Sequence, residues 1–207
     1  MNIGYIVSTN IDYMDITVPK LINSFTSTER VHVFVGKSRV NYNYRIGEGP
    51  IYHYVQYGAY EHTALIGAVE FSLPYDAVFL LHDTCEVGPN FEQLVKDGAS
   101  DNDMTVIWNA MCGFGLYKLS LLHRIKPYLD GLKDCDKHTA MVQEGQIFRS
   151  KMGTASVYPN DSYINKGTQD IYGTGKHRLI EYYGAVDLYK YKANYGNTTP
   201  DNYIVRI

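Results

Sequence analysis

The sequence predicts an α/β protein built on a central, mostly parallel mixed β-sheet flanked by helices. Three observations carry this. Short β-branched and aromatic runs alternate with helical patterns through the first half of the chain, as crossover connections require. The run Ala77-Val78-Phe79-Leu80-Leu81 is continuously apolar, like a strand buried on both faces. Several of the runs end in polar side chains, where ligands of open α/β sheets bind.

The elements follow in order. Residues 2–8 read as a strand ending in Ser8-Thr9-Asn10. Thr17 can cap a helix with Pro19 in its first turn, running to about Phe25. Residues 31–35 form a second strand, followed by Gly36-Lys37-Ser38. Residues 39–51 read as a loop, with Gly47, Gly49 and Pro50, and residues 52–57 as a third strand. Leu65, Ile66, Val69 and Leu73 share one helical face over residues 59–73. Residues 76–81 are the buried strand, and Asn90 can cap a helix over 91–96. After a polar turn at 98–103, residues 105–109 and 113–117 are extended. Ser120 can open a helix over 121–129, which Pro127 either kinks or limits. A helix over 138–152 places Met141, Phe148 and Met152 together, and 155–158 is a short strand. Residues 160–207 are rich in Gly, Tyr and Asn, with one further helix or strand around 180–191. No repeat and no linker divides the chain, so a single domain over residues 1–207 is expected.

Bulk properties narrow the function. Hydrophobic content is 45% and charged content 20%, as in a globular protein with a real core. A formal net charge of −3 supplies no broad basic field, so nucleic acid and anionic membrane surfaces are not expected partners. Cys85, Cys112 and Cys135 are odd in number and lack a CxxC spacing, which argues against a disulfide framework and fits a reducing, cytoplasmic setting. The apolar run 3–7 is too short for a signal peptide or a membrane span. Twenty tyrosines suit half-wet surfaces such as sugar-binding grooves, or reflect composition alone.

Five loci carry candidate chemistry. Ser8, Thr9 and Asn10 can bond a nucleobase or ribose, or simply make a turn. Lys37 between Gly36 and Ser38 can approach a phosphate, although the spacing of a Walker A loop is absent. His82-Asp83-Thr84, with Glu86 beyond, offers a set for Mg²⁺ or Mn²⁺, or a capped turn with a half-buried histidine. Gln143-Glu144-Gly145-Gln146 interrupts a helix with a glycine, which close approach of another group would explain. Tyr172-Gly173-Thr174-Gly175-Lys176-His177-Arg178 has the shape of a diphosphate loop, or of a surface turn.

In this order the loci resemble the GT-A fold of nucleotide-sugar glycosyltransferases, over roughly residues 3–192. Residues 58–70 followed by 75–91 are similar to that family's helix, buried strand, DxD motif, proline and next helix. Counted back from Pro89, the motif falls on His82-Asp83-Thr84, with only its middle position acidic. Residues 108–117 look like the donor-sugar strand of retaining members, which points to Asn109, Cys112 and Gly113. The compact size and Tyr-rich tail also resemble glycosyltransferase domains encoded by large algal viruses, which would place the chain in a host cytoplasm.

The resemblance implies a nucleotide-binding half at about 1–100 and an acceptor and sugar half at about 101–207. It implies transfer of a sugar from a UDP-sugar to a glycan or glycoprotein acceptor, assisted by a divalent cation on Asp83 and His82. Ser8, Thr9, Asn10, Lys37, His62, Lys176 and His177 would bind the nucleotide and diphosphate, and Glu144 would act at the reacting centre. The competing readings are a non-catalytic nucleotide-sugar-binding domain of the same fold, and an interaction domain of a larger polypeptide.

Overall fold

The computed structural model describes residues 1–45, 47–108, 111–140, 142–143, 154–159 and 163–192. Its architecture is α/β, with helices flanking a mixed sheet. β1 (Ile3–Asn10) pairs in parallel with β2 (Val31–Gly36) on one side and β5 (Ala77–His82) on the other. β4 (Ile51–Tyr54) extends the parallel set beyond β2, and β3 (Tyr42–Arg45) closes that edge antiparallel. On the far side β5 meets β8 (Met111–Lys118) antiparallel, β8 meets β7 (Met104–Trp108) antiparallel, and β9 (Ala155–Val157) runs parallel to β7. The order is therefore β3-β4-β2-β1-β5-β8-β7-β9.

Alternation along the strands divides the core between the two faces of this sheet. Tyr5, Val7, Val33, Phe79 and Leu81 face α1 (Met14–Ser24) and α3 (Phe91–Asp97). Ile6, Phe34, Val78 and Leu80 face α2 (His62–Glu70), α4 (Leu119–Arg124) and α5 (Lys126–Asp130). Helix α2 lies close on the sheet because Gly67 has no side chain: a Cβ there would stand 2.2 Å from the Phe34 ring. No helix of the described residues is long and apolar enough to cross a membrane.

A second sheet leans on the first. β6 (Cys85–Val87) pairs antiparallel with β12 (Leu188–Lys192), then come β11 (Arg178–Tyr183) and β10 (Tyr163–Gln169). The chain leaves one sheet at His82 and enters the other at Cys85. Residues 82–84 thus lie at the junction of the sheets.

Several expectations need correction. Residues 39–51 are not all loop. Tyr42 and Tyr44 stack on their cross-strand partners Tyr54 and Tyr52, with centroids 4.4 and 5.2 Å apart, and this aromatic pairing makes an exposed edge strand. Thr17 does not cap α1 but sits inside it, buried, with Pro19 also interior. The helix after the third strand begins at His62, because Tyr60 has a φ of +52°, which a helix does not admit. Asn90 makes no cap bond; its Nδ2 donates to Asp187 Oδ2 at 3.2 Å. Pro127 falls in the first turn of α5, separating it from α4. Residues 180–191 lie on two strands, β11 and β12.

A buried histidine pair braces the parallel edge. His32 Nδ1 lies 2.9 Å from His53 Nε2, the rings stack, and His32 Nε2 is 3.0 Å from the Tyr75 hydroxyl. Burial pushes His32 down to about 3 and His53 down to about 4. In the unfolded chain both take up protons near pH ~6.5. The unfolded state therefore binds more protons below that pH, and the stability present above it is lost as pH falls towards the folded values. Between pH 6.5 and 5 the pH dependence of the urea unfolding free energy is expected to be steeper than in a His32→Gln/His53→Gln protein, by about one proton at pH 6.5 and about two near pH 5. Equal slopes would contradict it.

Candidate functional site

The carboxyl ends of β1, β2 and β5 open onto a cleft of about 180 Å³. Ser8, Thr9 and Asn10 reach it from β1, Gly36 and Lys37 from the end of β2, and His82 and Asp83 from the end of β5. The fourth wall is the turn into α2, through Gly58, Tyr60, Glu61 and Thr63.

That wall is pinned from both sides. The Ser8 hydroxyl donates to the Tyr60 carbonyl, and the Lys37 amide donates to Tyr57 O at 3.0 Å. The Gly58 amide donates to Asp134 Oδ1 at 3.0 Å. Gly58 packs against Lys37: a Cβ there would stand 2.7 Å from the Lys37 side chain, which would have to move aside. Lys37, at a φ of +59°, turns its ammonium over the exposed Tyr60 ring, 5.7 Å from the centroid. An aromatic face and a flexible cation therefore stand together at the mouth. Glu61 adds a carboxylate whose Oε1 is buried without a hydrogen-bond partner.

Asp83 is held at the floor. Its Oδ2 accepts from Thr9 Oγ1 at 2.7 Å and lies 2.8 Å from Thr17 Oγ1. Thr9 comes from β1 and Thr17 from the buried side of α1, so two elements fix one oxygen. The Asp83 amide donates to Ser8 O at 3.2 Å.

Beside Asp83 stands a cation. Lys190 of β12, only 8% exposed, donates from Nζ to Thr84 Oγ1 at 2.6 Å and to His82 Nδ1 at 3.0 Å. An ammonium has no lone pair, so Nδ1 must be the acceptor and the neutral ring carries its proton on Nε2. His82 therefore has no lone pair left for a metal. Glu86 is also committed: Lys20 lies 2.8 Å and the Tyr191 hydroxyl 2.5 Å from its Oε2. Burial raises its pKa, but these two partners outweigh that and hold it below the usual range. Among the described residues no three His, Cys, Asp or Glu side chains converge. With His82 Nδ1 taken by Lys190 and Glu86 by Lys20 and Tyr191, the donor set fits a divalent ion poorly.

The other sequence-predicted residues are dispersed. His62 is buried, with Nε2 3.2 Å from the Ala140 carbonyl, and does not line the cleft. The loop holding Lys176 and His177 turns inward on itself: the Thr174 and Gly175 amides donate to Asp170 at 3.1 and 2.8 Å. Its backbone donors thus face a carboxylate of the protein. Neither Lys176 nor His177 lines the cleft, though Tyr172 of the same loop is near enough to feel Asp83: burial first, then that carboxylate, raises its phenol. Glu144 and Asn109 lie outside the described residues, and Cys112 and Gly113 fall on β8. Sequence reasoning missed Tyr60, Glu61, Thr17 and Lys190. Residues 60 and 61 read as helix, Thr17 as a cap, and Lys190 stands in a Tyr-rich stretch with no motif around it.

No protein-family model matches the chain, and no curated protein matches it.

Hydrogen bonds to charged groups contribute about 1.5–3 kcal/mol each. Thr17→Val is therefore expected to lower the unfolding free energy by roughly that amount, and Thr17→Ser, which keeps the hydroxyl, by less. Urea denaturation at neutral pH checks this; equal stability of Thr17→Val and the parent would contradict the clamp on Asp83.

Proposed function

We propose that this chain is a nucleotide-sugar glycosyltransferase of GT-A type, moving a sugar from a UDP-type donor to a glycan or protein-linked acceptor. One observation carries the reading. Three loci far apart in sequence, at residues 8–10, 37 and 82–83, line one cleft at the carboxyl ends of parallel strands. That is where α/β sheets bind nucleotides.

The residues suit the parts of such a donor. The Tyr60 ring, with Lys37 over it, offers a stacking face for a base. Glu61 Oε1, buried without a hydrogen-bond partner and 3.9 Å from His62 Nε2, is an acceptor for ribose hydroxyls. Ser8, Thr9 and Asn10 supply short polar groups beneath the nucleoside, and Lys37 is a mobile charge for phosphate. In the transfer, the bond from the sugar's anomeric carbon to the diphosphate breaks and its electron pair stays with the phosphate oxygen. The acceptor oxygen bonds that carbon and gives up its proton to a base; for a transfer that inverts the anomeric centre, Glu144 is the candidate from sequence.

A second reading is a binding domain that holds the donor without turnover. It is favoured by the single carboxylate at the junction of the sheets, one of whose oxygens is already committed to Thr9 and Thr17.

Calorimetry with UDP and a donor-hydrolysis screen over UDP-sugars separate these. Binding with release of free sugar supports the transferase. Binding without turnover for any donor supports the second reading. No binding of any nucleotide overturns both. Lys37→Ala is expected to weaken UDP at least tenfold, a loss of about 1.4 kcal/mol, without changing the fold.

A further inference from the structure

We propose that this site handles its diphosphate without a divalent metal, and that the Lys190 ammonium supplies the positive charge in its place. The proposal rests on the nucleotide-sugar reading above and adds the identity of the cation.

Placement comes first. The side chains of residues 82 and 84, on either side of Asp83, converge on one nitrogen, Lys190 Nζ, at 3.0 and 2.6 Å. These are the two positions at which a metal-binding pair would be expected, and here a protein cation takes both. Lys190 is delivered by a strand: it sits opposite Cys85 in the β12–β6 ladder, and the Tyr191 amide donates to Thr84 O at 2.9 Å. Its ammonium is therefore carried on a rigid element.

Among the described residues Lys190 makes no ion pair; its partners are a hydroxyl, a neutral imidazole and the face of Phe114, 5.2 Å away. Glu181, opposite it in register, is taken by Lys192 at 2.9 Å and by the Tyr183 hydroxyl at 2.7 Å. A buried cation without a counter-ion is costly to keep, and an arriving anion offsets that cost. A divalent ion at Asp83 would instead add charge of the same sign beside the ammonium.

The chemistry balances without a metal. As the anomeric carbon–oxygen bond breaks, the electron pair adds one negative charge to the diphosphate. Lys190, held against His82 of the cleft wall, stabilises that charge electrostatically. No proton need be transferred to the leaving group.

The test is calorimetric titration of the full chain with UDP, in EDTA and in Mn²⁺. The expected result is binding in EDTA, with Kd within about threefold of that in Mn²⁺, where about 1.4 kcal/mol separates each factor of ten. Binding that requires Mn²⁺ overturns the proposal and leaves the nucleotide reading intact. No binding in either buffer overturns the nucleotide reading and the proposal with it. Lys190→Met is expected to weaken binding in EDTA at least tenfold, and Lys190→Arg to keep most of it. An unchanged affinity in a folded Lys190→Met protein overturns the role of Lys190. The EDTA and Mn²⁺ comparison uses the parent chain and so stands even where a variant does not fold.

Discussion

The carboxylate of Asp83 closes the end of β5 and ties two other elements to one oxygen. Thr9 brings β1 to it and Thr17 brings α1, while its own amide returns to Ser8 O. A carboxylate at the junction of two sheets needs donors, and the protein supplies them from elements distant in sequence. Because Oδ2 is committed, the direction in which the chain leaves the main sheet is set. β6 follows from that direction, and with β6 the ladder to β12. Lys190 reaches His82 and Thr84 because that ladder places it there.

The second sheet is therefore more than a cover for the core. Its strands carry charged groups, two of them in paired sets: Glu181 with Lys192 and Tyr183, and Glu86 with Lys20 and Tyr191. Against this pairing stand two buried cations: Lys190, which neutral groups hold, and Arg178, which lies over the Tyr172 ring with Nε and Nη2 lacking hydrogen-bond partners among the described residues. The positive charge of Lys190 is directed at the same corner as the negative charge of Asp83. A site with one carboxylate and one built-in ammonium differs in kind from a site with two carboxylates awaiting an ion. The first already holds a fixed cation for an arriving anion; the second must recruit one.

Much of the fold was legible because its signals are local. The apolar run 77–81, the alternation of strand and helix, and the polar strand ends are all readable within windows of about ten residues. Those ends led to Ser8, Thr9, Asn10, Lys37 and Asp83, and these five do line one cleft. What stayed hidden depends on pairing across long separations. Lys190 and Thr84 are 106 positions apart, and nothing near either one announces the other. Thr17 has the residue type of a cap, and only its burial against Asp83 reveals another use. Lys176 and His177 failed to reach the cleft because Asp170, a few residues earlier, satisfies their loop from within. The edge strand β3 was read as loop because its tyrosines are exposed and stabilise it by stacking, which hydrophobic periodicity does not register.

The central claim is that the cleft above Asp83 is where a nucleotide binds. The most direct measurement is a two-dimensional amide spectrum of the isotopically labelled chain, titrated with UDP. The account predicts saturable shifts at Thr9, Lys37, Tyr60, Glu61 and Asp83, with the histidine-paired edge at His32 and His53 unmoved. A spectrum that does not change, or shifts that gather at that edge and leave the Asp83 amide in place, would contradict it.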